Sequence, residues 1–408
     1  MNVENNIVNC TGCQSCVLIC PEGCISMKAD IEGHKYPVID HTRCINCSLC
    51  IRRCPMSAND YLKSFKKTNI TAIKAVSIQP QKANSASGGI FYTLARRILK
   101  DGGVVFGAAF NQDFHVHHVY VEEVDKLECL QGSKYVQSDI GTCYANVQFY
   151  LKKGRKVLFS GTPCQIAGLY AYLGKDCEEL ITIDLICHGV PSGVLWDQYV
   201  RQRQEKEKID SIRFRVKGPK DKASFKMLIT YKNGTKQCLH AEEDVYFKGF
   251  LSNETFRNSC YQCPFATDIR YGDITIGDCA TSVKYESDDF RPYEAVSTVL
   301  LNSSKGHTLW NLCIDNFEYA PLDFEEERNF NHQLSHPTKR PISRDYVLKE
   351  GVLFDLLEGK SVELKYRLGW HKKLEHIVSD FLSIKTRYHI KYFLKNISKS
   401  KGNNERIK

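Results

Sequence analysis

No stretch of this 408-residue chain approaches the roughly 18 uninterrupted apolar residues that a membrane-spanning helix needs, so a spanning segment is not expected. The opening residues, Met1-Asn2-Val3-Glu4-Asn5-Asn6, hold neither a basic run nor an apolar stretch of the kind that directs secretion. A cytoplasmic location is the expectation. There is no G-x-G-x-x-G, so no dinucleotide-binding fingerprint can be claimed, and no internal repeat appears beyond residue 60. Excess charge of one sign is also scarce outside one segment. The chain has 56 Lys and Arg against 47 Asp and Glu, and twelve basic against four acidic residues between Ser361 and Lys408 carry +8 of the net +9. The rest is near neutral, which argues against nucleic acid as a partner.

Cysteine is abundant. Nineteen are present, nine of them within residues 1–60. In a small secreted domain this count would mean disulfides; in a long chain without a secretion signal it points to metal ligation. The spacing is specific: Cys10-x2-Cys13-x2-Cys16-x3-Cys20-Pro21 recurs as Cys44-x2-Cys47-x2-Cys50-x3-Cys54-Pro55. Three closely spaced thiolates hold three irons of a cubane, and in such double runs the fourth Cys crosses to the other cluster. One [4Fe–4S] cluster is therefore assigned to Cys10, Cys13, Cys16 and Cys54, and a second to Cys44, Cys47, Cys50 and Cys20. Paired zinc knuckles are the alternative, but zinc requires neither the third Cys, the fourth nor the proline, twice over. Cys24 has no place in either set and reads as a small buried hydrophobe. Gly33 to Asp40 reads as a hairpin bringing an aromatic near a cluster, with His34 on the surface.

Length suggests two to three domains. The expected fold is α+β: a small dicluster ferredoxin-type domain over 1–60, a linker over 61–71, an α/β body with a mixed sheet over 72–320, its C-terminal extension over 321–360 and a basic helical tail over 361–408. Buried strands are expected at Gly102–Gly107, Lys156–Gly161, Leu180–Ile186 and Asp273–Asp278, and helices at Phe91–Lys100, Gln165–Leu173 and Gly193–Glu205. Leu374, Ile377, Val378, Phe381 and Tyr388 recur at helical spacing among basic residues. That pattern suits contact with an anionic membrane surface or a protein, or simple packing on the body. His115, His117 and His118 alternate as on a strand, His115 and His117 sharing a face, with no acidic or Cys partner nearby to favour a metal.

Cys164 and Cys187 each follow an expected strand, and ligands of α/β sheets gather at strand carboxyl ends. With Cys260 and Cys263 they make a candidate set for a third cluster, Cys279 and His188 being the substitutes. Core burial of the first pair and a structural knuckle for the second is the other reading. Ser87-Gly88-Gly89 opening a helix offers amides to a pyrophosphate, although a simple turn explains it equally well.

An ordered set of segments then carries a resemblance: Ser87-Gly88-Gly89-Ile90-Phe91, Gly132-Ser133-Lys134-Tyr135-Val136-Gln137-Ser138, Gly161-Thr162-Pro163-Cys164-Gln165, Cys187-His188-Gly189-Val190-Pro191-Ser192, and Arg257-x2-Cys260-x2-Cys263 followed by Gly272-Asp273-Ile274-Thr275-Ile276-Gly277-Asp278. From about Ser85 to Pro292 the chain resembles the beta subunit family of coenzyme F420 hydrogenase and dehydrogenase. The resemblance implies FAD, at least one [4Fe–4S] cluster and, in the archetypes, the deazaflavin F420. It implies flavin contacts for Lys134 and Tyr135 and sets Thr162 at the helix facing the ring. Family members often have Phe-Trp-Gly after Gly-Asp, whereas Asp278 is followed here by Cys279-Ala280-Thr281. The ferredoxin head makes the chain more similar to a longer branch whose bacterial members are associated with polysaccharide biosynthesis. The implied function is an iron–sulfur flavoprotein oxidoreductase with hydride transfer to or from F420 or another small substrate, served by a redox protein or a small electron carrier. The alternative is an electron-transfer module without its own substrate. No catalytic residue is singled out.

Overall fold

The computed structural model describes residues 2–57, 63–67, 70–217, 225–284, 290, 294–349 and 355. The basic amphipathic pattern at 374–397 lies outside them.

In the head each cysteine run must wrap a short backbone around one centre, and the dihedrals show how. Gly12 and Gln14 in the first run, and Asn46 and Ser48 at the matching places in the second, all have positive φ, 71, 64, 54 and 59°. Each run thereby turns back on itself before a single helical turn, α1 (Ser15–Ile19) or α2 (Leu49–Arg52). Between the runs β1 (Ile25–Ala29) and β2 (Lys35–Ile39) form the expected hairpin, with Ile25 opposite Ile39.

The body is built on an eight-stranded mixed sheet. Its strands are β3 (Thr71–Ser77), β4 (Val104–Phe110), β5 (Val116–Val121), β6 (Val157–Gly161), β7 (Leu180–Leu185), β11 (Ile274–Asp278), β12 (Ser297–Leu301) and β13 (Phe317–Pro321). The spatial order is β13-β3-β12-β11-β7-β6-β4-β5. The central four, β11, β7, β6 and β4, are parallel; the flanking strands run antiparallel. A second antiparallel sheet holds β8 (Ile209–Phe214), β9 (Lys226–Tyr231) and β10 (Lys236–His240).

Alternation along the central strands dresses both faces. On one face Val105, Leu158 and Ile183 pack against Leu94, Ile98 and Leu99 of α3 (Ile90–Lys100). On the other Val104, Phe106, Val157 and Phe159 pack against Tyr144 and Val147 of α4 (Cys143–Lys152) and Ile166, Leu169 and Tyr170 of α5 (Pro163–Leu173). A separate aromatic core joins Trp196 and Tyr199 of α6 (Gly193–Lys206), Tyr246 and Phe247 of α7 (Val245–Leu251), and Phe214 and Met227 of the small sheet. Among the described residues no helix is long and apolar enough to cross a membrane.

Candidate metal centres

The wrapped runs line two cavities. Cys10, Cys13, Cys16 and Cys54, with Pro55, border one. Cys20, Cys44, Cys47 and Cys50, with Pro21, border the other, of about 320 Å³. Each run therefore lends its last cysteine to the other run's cavity. Cys24 is buried, as a filler should be, yet it also lines the second cavity, its sulfur 3.4 Å from Cys20 Sγ. Burial pushes the Cys13, Cys16 and Cys54 thiols up, and the charges of neighbouring thiolates add to it: Cys54 and Cys16 for Cys13, Cys10 and Cys54 for Cys16. Such thiols ionise only against bound positive charge, which a metal supplies. Among the described residues no three His, Cys, Asp or Glu side chains converge closely enough for a single ion. Zinc needs no fourth cysteine crossing from the other run, whereas the crossed four-cysteine lining of each cavity fits an iron–sulfur cubane.

His34 is not on the surface. It is 1% exposed, enclosed where the head meets the body, with neither ring nitrogen in a hydrogen bond. Burial, then the charges of Arg257 and Arg344, pull its pKa well down, so it is neutral there.

In the body, β6 and β7 are parallel neighbours, so the loops after them adjoin. Cys164 follows β6 as the second residue of α5. Gln165 Oε1 accepts from the Thr162 N–H at 3.0 Å, and the Thr162 hydroxyl lies 3.2 Å from Cys164 Sγ. Cys187 follows β7. Its loop is tied to the third segment by the Pro191–Phe256 bridge and by the Arg257 N–H donating to Val190 at 3.0 Å. That segment carries Cys260 in a short turn of 3-10 helix, Asn258–Gln262, and Cys263 just after it. The four sulfurs feel one another. Burial drives Cys187 well up, with the charges of Cys260, Cys164 and Cys263 adding. Burial, then Cys263 and Cys164, push Cys260 up to about 12, and burial, then Cys164, pushes Cys263 up to about 11. Cys279 sits elsewhere, bonded with Ser282 at 3.1 Å and near Glu327. His188 feels Asp278 and Arg215 instead, its pKa lowered chiefly by burial.

The head is seated directly on this set. Arg257 Nε donates to the Cys10 main-chain oxygen at 2.7 Å, Ser259 to the same oxygen at 2.9 Å, and Gln137 to that of Thr11 at 2.9 Å. A Cβ on Gly168 of α5 would lie 3.1 Å from Cys13 Sγ. Arg257 and Gln137 stood in the quoted segments without a role, and nothing in a lone Arg, Ser, Gln or Gly marks it as lying at a junction.

The residues expected at a flavin make the following contacts within the chain. The Gly88 N–H is already given to Ser297 Oγ at 2.9 Å, and a Cβ at Gly88 would stand 2.5 Å from the Ala75 oxygen. Gly89 has φ 83° and starts α3. Ser87 donates to Val296. Tyr135 packs among Phe214, Phe247 and Phe250 and accepts from Arg215, which pairs with Asp278 at 2.6 Å. Among the described residues Lys134 donates to the main-chain oxygens of Cys129 and Gln131, and burial pulls its ammonium down to about 8. Thr162 caps α5. The absent partner foreseen for the histidines is corrected for one of them: Asp197 Oδ1 lies 2.6 Å from His115 Nδ1.

Comparison with known proteins follows the same division. Residues 9–58 match the 4Fe-4S dicluster domain family, and residues 154–325 match the family defined by the C terminus of the coenzyme F420 hydrogenase/dehydrogenase beta subunit. The dicluster domain means two [4Fe–4S] clusters, and the chain is an iron–sulfur electron-transfer protein similar to those beta subunits. An uncharacterized protein of Methanocaldococcus jannaschii is 23% identical over 82% of this chain and 95% of its own length. The NADH-quinone oxidoreductase subunit I 2 of Geobacter metallireducens is 34% identical over 17% of this chain and 56% of its own length. The pyruvate synthase subunit PorD of Methanothermobacter marburgensis is 37% identical over 12% of this chain and 51% of its own length. These two are matched over about half their lengths. A chain of the F420-reducing [NiFe] hydrogenase complex from Methanosarcina barkeri superposes with a TM-score of 0.43 at 15% identity, covering 68% of this chain and 98% of that one.

Proposed function

We propose, for a chain that joins a dicluster domain to a coenzyme F420 hydrogenase/dehydrogenase beta-subunit domain, that it is an iron–sulfur flavoprotein oxidoreductase with a third cluster at Cys164, Cys187, Cys260 and Cys263 and FAD beside it. Bound there, the clusters carry single electrons and the flavin joins them to hydride chemistry on F420 or a similar small substrate. A redox protein or small carrier meets the head, where Cys47 is the exposed cysteine of the second cavity.

The observation that carries this reading is the seating of Cys10 and Cys13 against the segments bearing Cys164 and Cys260. Arg257 and Ser259 hold the Cys10 main chain, and α5 presents a glycine to Cys13, so the head's first cavity abuts the body's four thiols. Thr162 and Gln165 fix the start of α5 and with it the direction of Cys164. Lys134, an ammonium without a carboxylate among the described residues, is suited to a flavin phosphate.

Anaerobic purification should give a brown protein with about twelve irons and as many sulfides per chain, from three cubanes, and denaturation should release FAD. C54A and C10A should each abolish the same cluster's EPR signal and leave the other two. About eight irons in the wild type would remove the third cluster, and a colourless supernatant the flavin. If FAD is present, reduction of F420 against artificial acceptors separates an enzyme from a pure electron carrier.

A further inference from the structure

Among the described residues four arginines are buried: Arg215, Arg257, Arg270 and Arg344. Three meet a carboxylate, Arg215 with Asp278, Arg270 with Asp184 and Arg344 with Glu32. Arg257, with no exposed surface at all, meets none among the described residues. Its neighbours are neutral: the main-chain oxygens of Cys10 and Lys35, Gln137 Oε1 at 3.3 Å, and the Tyr36 ring 4.1 Å from the guanidinium carbon. Of the described groups there that can carry negative charge, burial holds the Tyr36 phenol's pKa up, which leaves the thiol of Cys10, whose sulfur lies 3.9 Å from Nη2. On the body side Arg257 opens the 3-10 turn that carries Cys260, whose N–H donates to the Arg257 main-chain oxygen at 2.9 Å; burial pushes the Cys164 and Cys260 thiols up, and the guanidinium charge opposes that rise at both. A buried cation needs a counter-charge, and among the described residues Arg257 meets it in the Cys10 thiol at its tip and in the cysteine set that its own segment carries.

Resting on the three-cluster reading, we propose that Arg257 is the shared counter-ion of the head cluster at Cys10, Cys13, Cys16 and Cys54 and of the body cluster, raising the reduction potential of both. Four thiolates leave a bound cubane anionic, and one added electron makes it more so, with no bond made or broken. A fixed cation beside the cluster therefore favours the reduced form, because net charge and hydrogen bonds to sulfur set cluster potentials. The second head cluster, ligated by Cys20, Cys44, Cys47 and Cys50, has no contact with Arg257. Arg257 is thus a positioning residue: it binds no substrate, and it ties the head to the body through the Cys10 and Lys35 main chain.

The test is an EPR-monitored titration with dithionite of the reconstituted full chain, with iron and sulfide counted in each sample. R257Q and R257M should lower two of the three midpoints by at least a tenfold change in reduction equilibrium, about 59 mV for one electron, and leave the third in place. R257K, which keeps the charge, should retain most of both potentials. Q137E, which keeps Arg257 but sets a carboxylate against it, should lower the same two. If the neutral variants fail to load iron, R257K and Q137E decide. Unmoved midpoints in the variants that load, an equal shift of all three, or R257K displaced as far as R257Q overturns the proposal. A wild-type protein without the third cluster's signal would instead overturn the reading on which it rests.

Discussion

At the scale of single residues, Lys134 is the most exposed to test. Its native pKa, about 8, lies below the roughly 10.4 of an unfolded lysine. Between those values the unfolded chain binds the extra proton, so Lys134 makes stability rise with pH across that window, and below it the buried charge is a burden. Urea midpoints of wild type and K134M should therefore draw together or cross in the wild type's favour between about pH 8 and 10. A gap that does not change with pH would mean the ammonium is solvated. Saturating FAD, by placing a phosphate beside the lysine, should flatten the dependence. Sequence reasoning reached Lys134 only through a family likeness, because its isolation depends on which carboxylates fold away from it.

At the scale of elements, α5 has two functions at once. Its first turn carries Cys164 and its middle carries Gly168, where an added Cβ would come within 2.9 Å of the Tyr144 hydroxyl and 3.0 Å of Cys13 Cβ. G168A should cost about 1–3 kcal/mol by overpacking, lower the thermal midpoint and bleach the Cys10-containing cluster faster in air than the other head cluster. Equal bleaching of the two would show that α5 does not support the head. The helix itself was expected over Gln165–Leu173, two residues short of its start at Pro163, which the Thr162–Gln165 capping pair sets. Legible too were the four parallel strands, whose apolar runs end at glycine or a polar turn. The antiparallel partners β3, β5, β12 and β13 and the small sheet were not foreseen as such, because pairing direction depends on strands far apart in sequence: β3 lies between β12 and β13, more than two hundred residues away.

At the scale of the whole molecule, the head is clamped through its hairpin as well. Arg344 donates to both oxygens of Glu32, at 2.9 and 2.6 Å, and to the main-chain oxygen of Phe256. One buried pair thus joins the head's hairpin, the loop before Cys260 and the last described helix, Arg344–Lys349. E32L should cost about 3–5 kcal/mol by leaving Arg344 buried and unpaired, and E32L/R344M should cost less than E32L alone. Urea denaturation of the four corners of that cycle measures it. A double variant as unstable as the sum of the singles would mean the pair does not couple the parts.

The local chemistry was written in the chain itself. Eight cysteines at fixed spacing and two prolines dictate two wrapped cages, because ligand geometry acts over a few residues and leaves its mark there. The sequence also put Cys164 and Cys187 at strand ends. Only the tertiary structure made β6 and β7 neighbours, drew the 256–263 loop across them, buried His34 and set an arginine without a carboxylate between the two thiol sets. Those features depend on which distant segments share an interior, where burial and the loss of water turn an ordinary arginine into a fixed charge. Spacing along the chain carries no record of that.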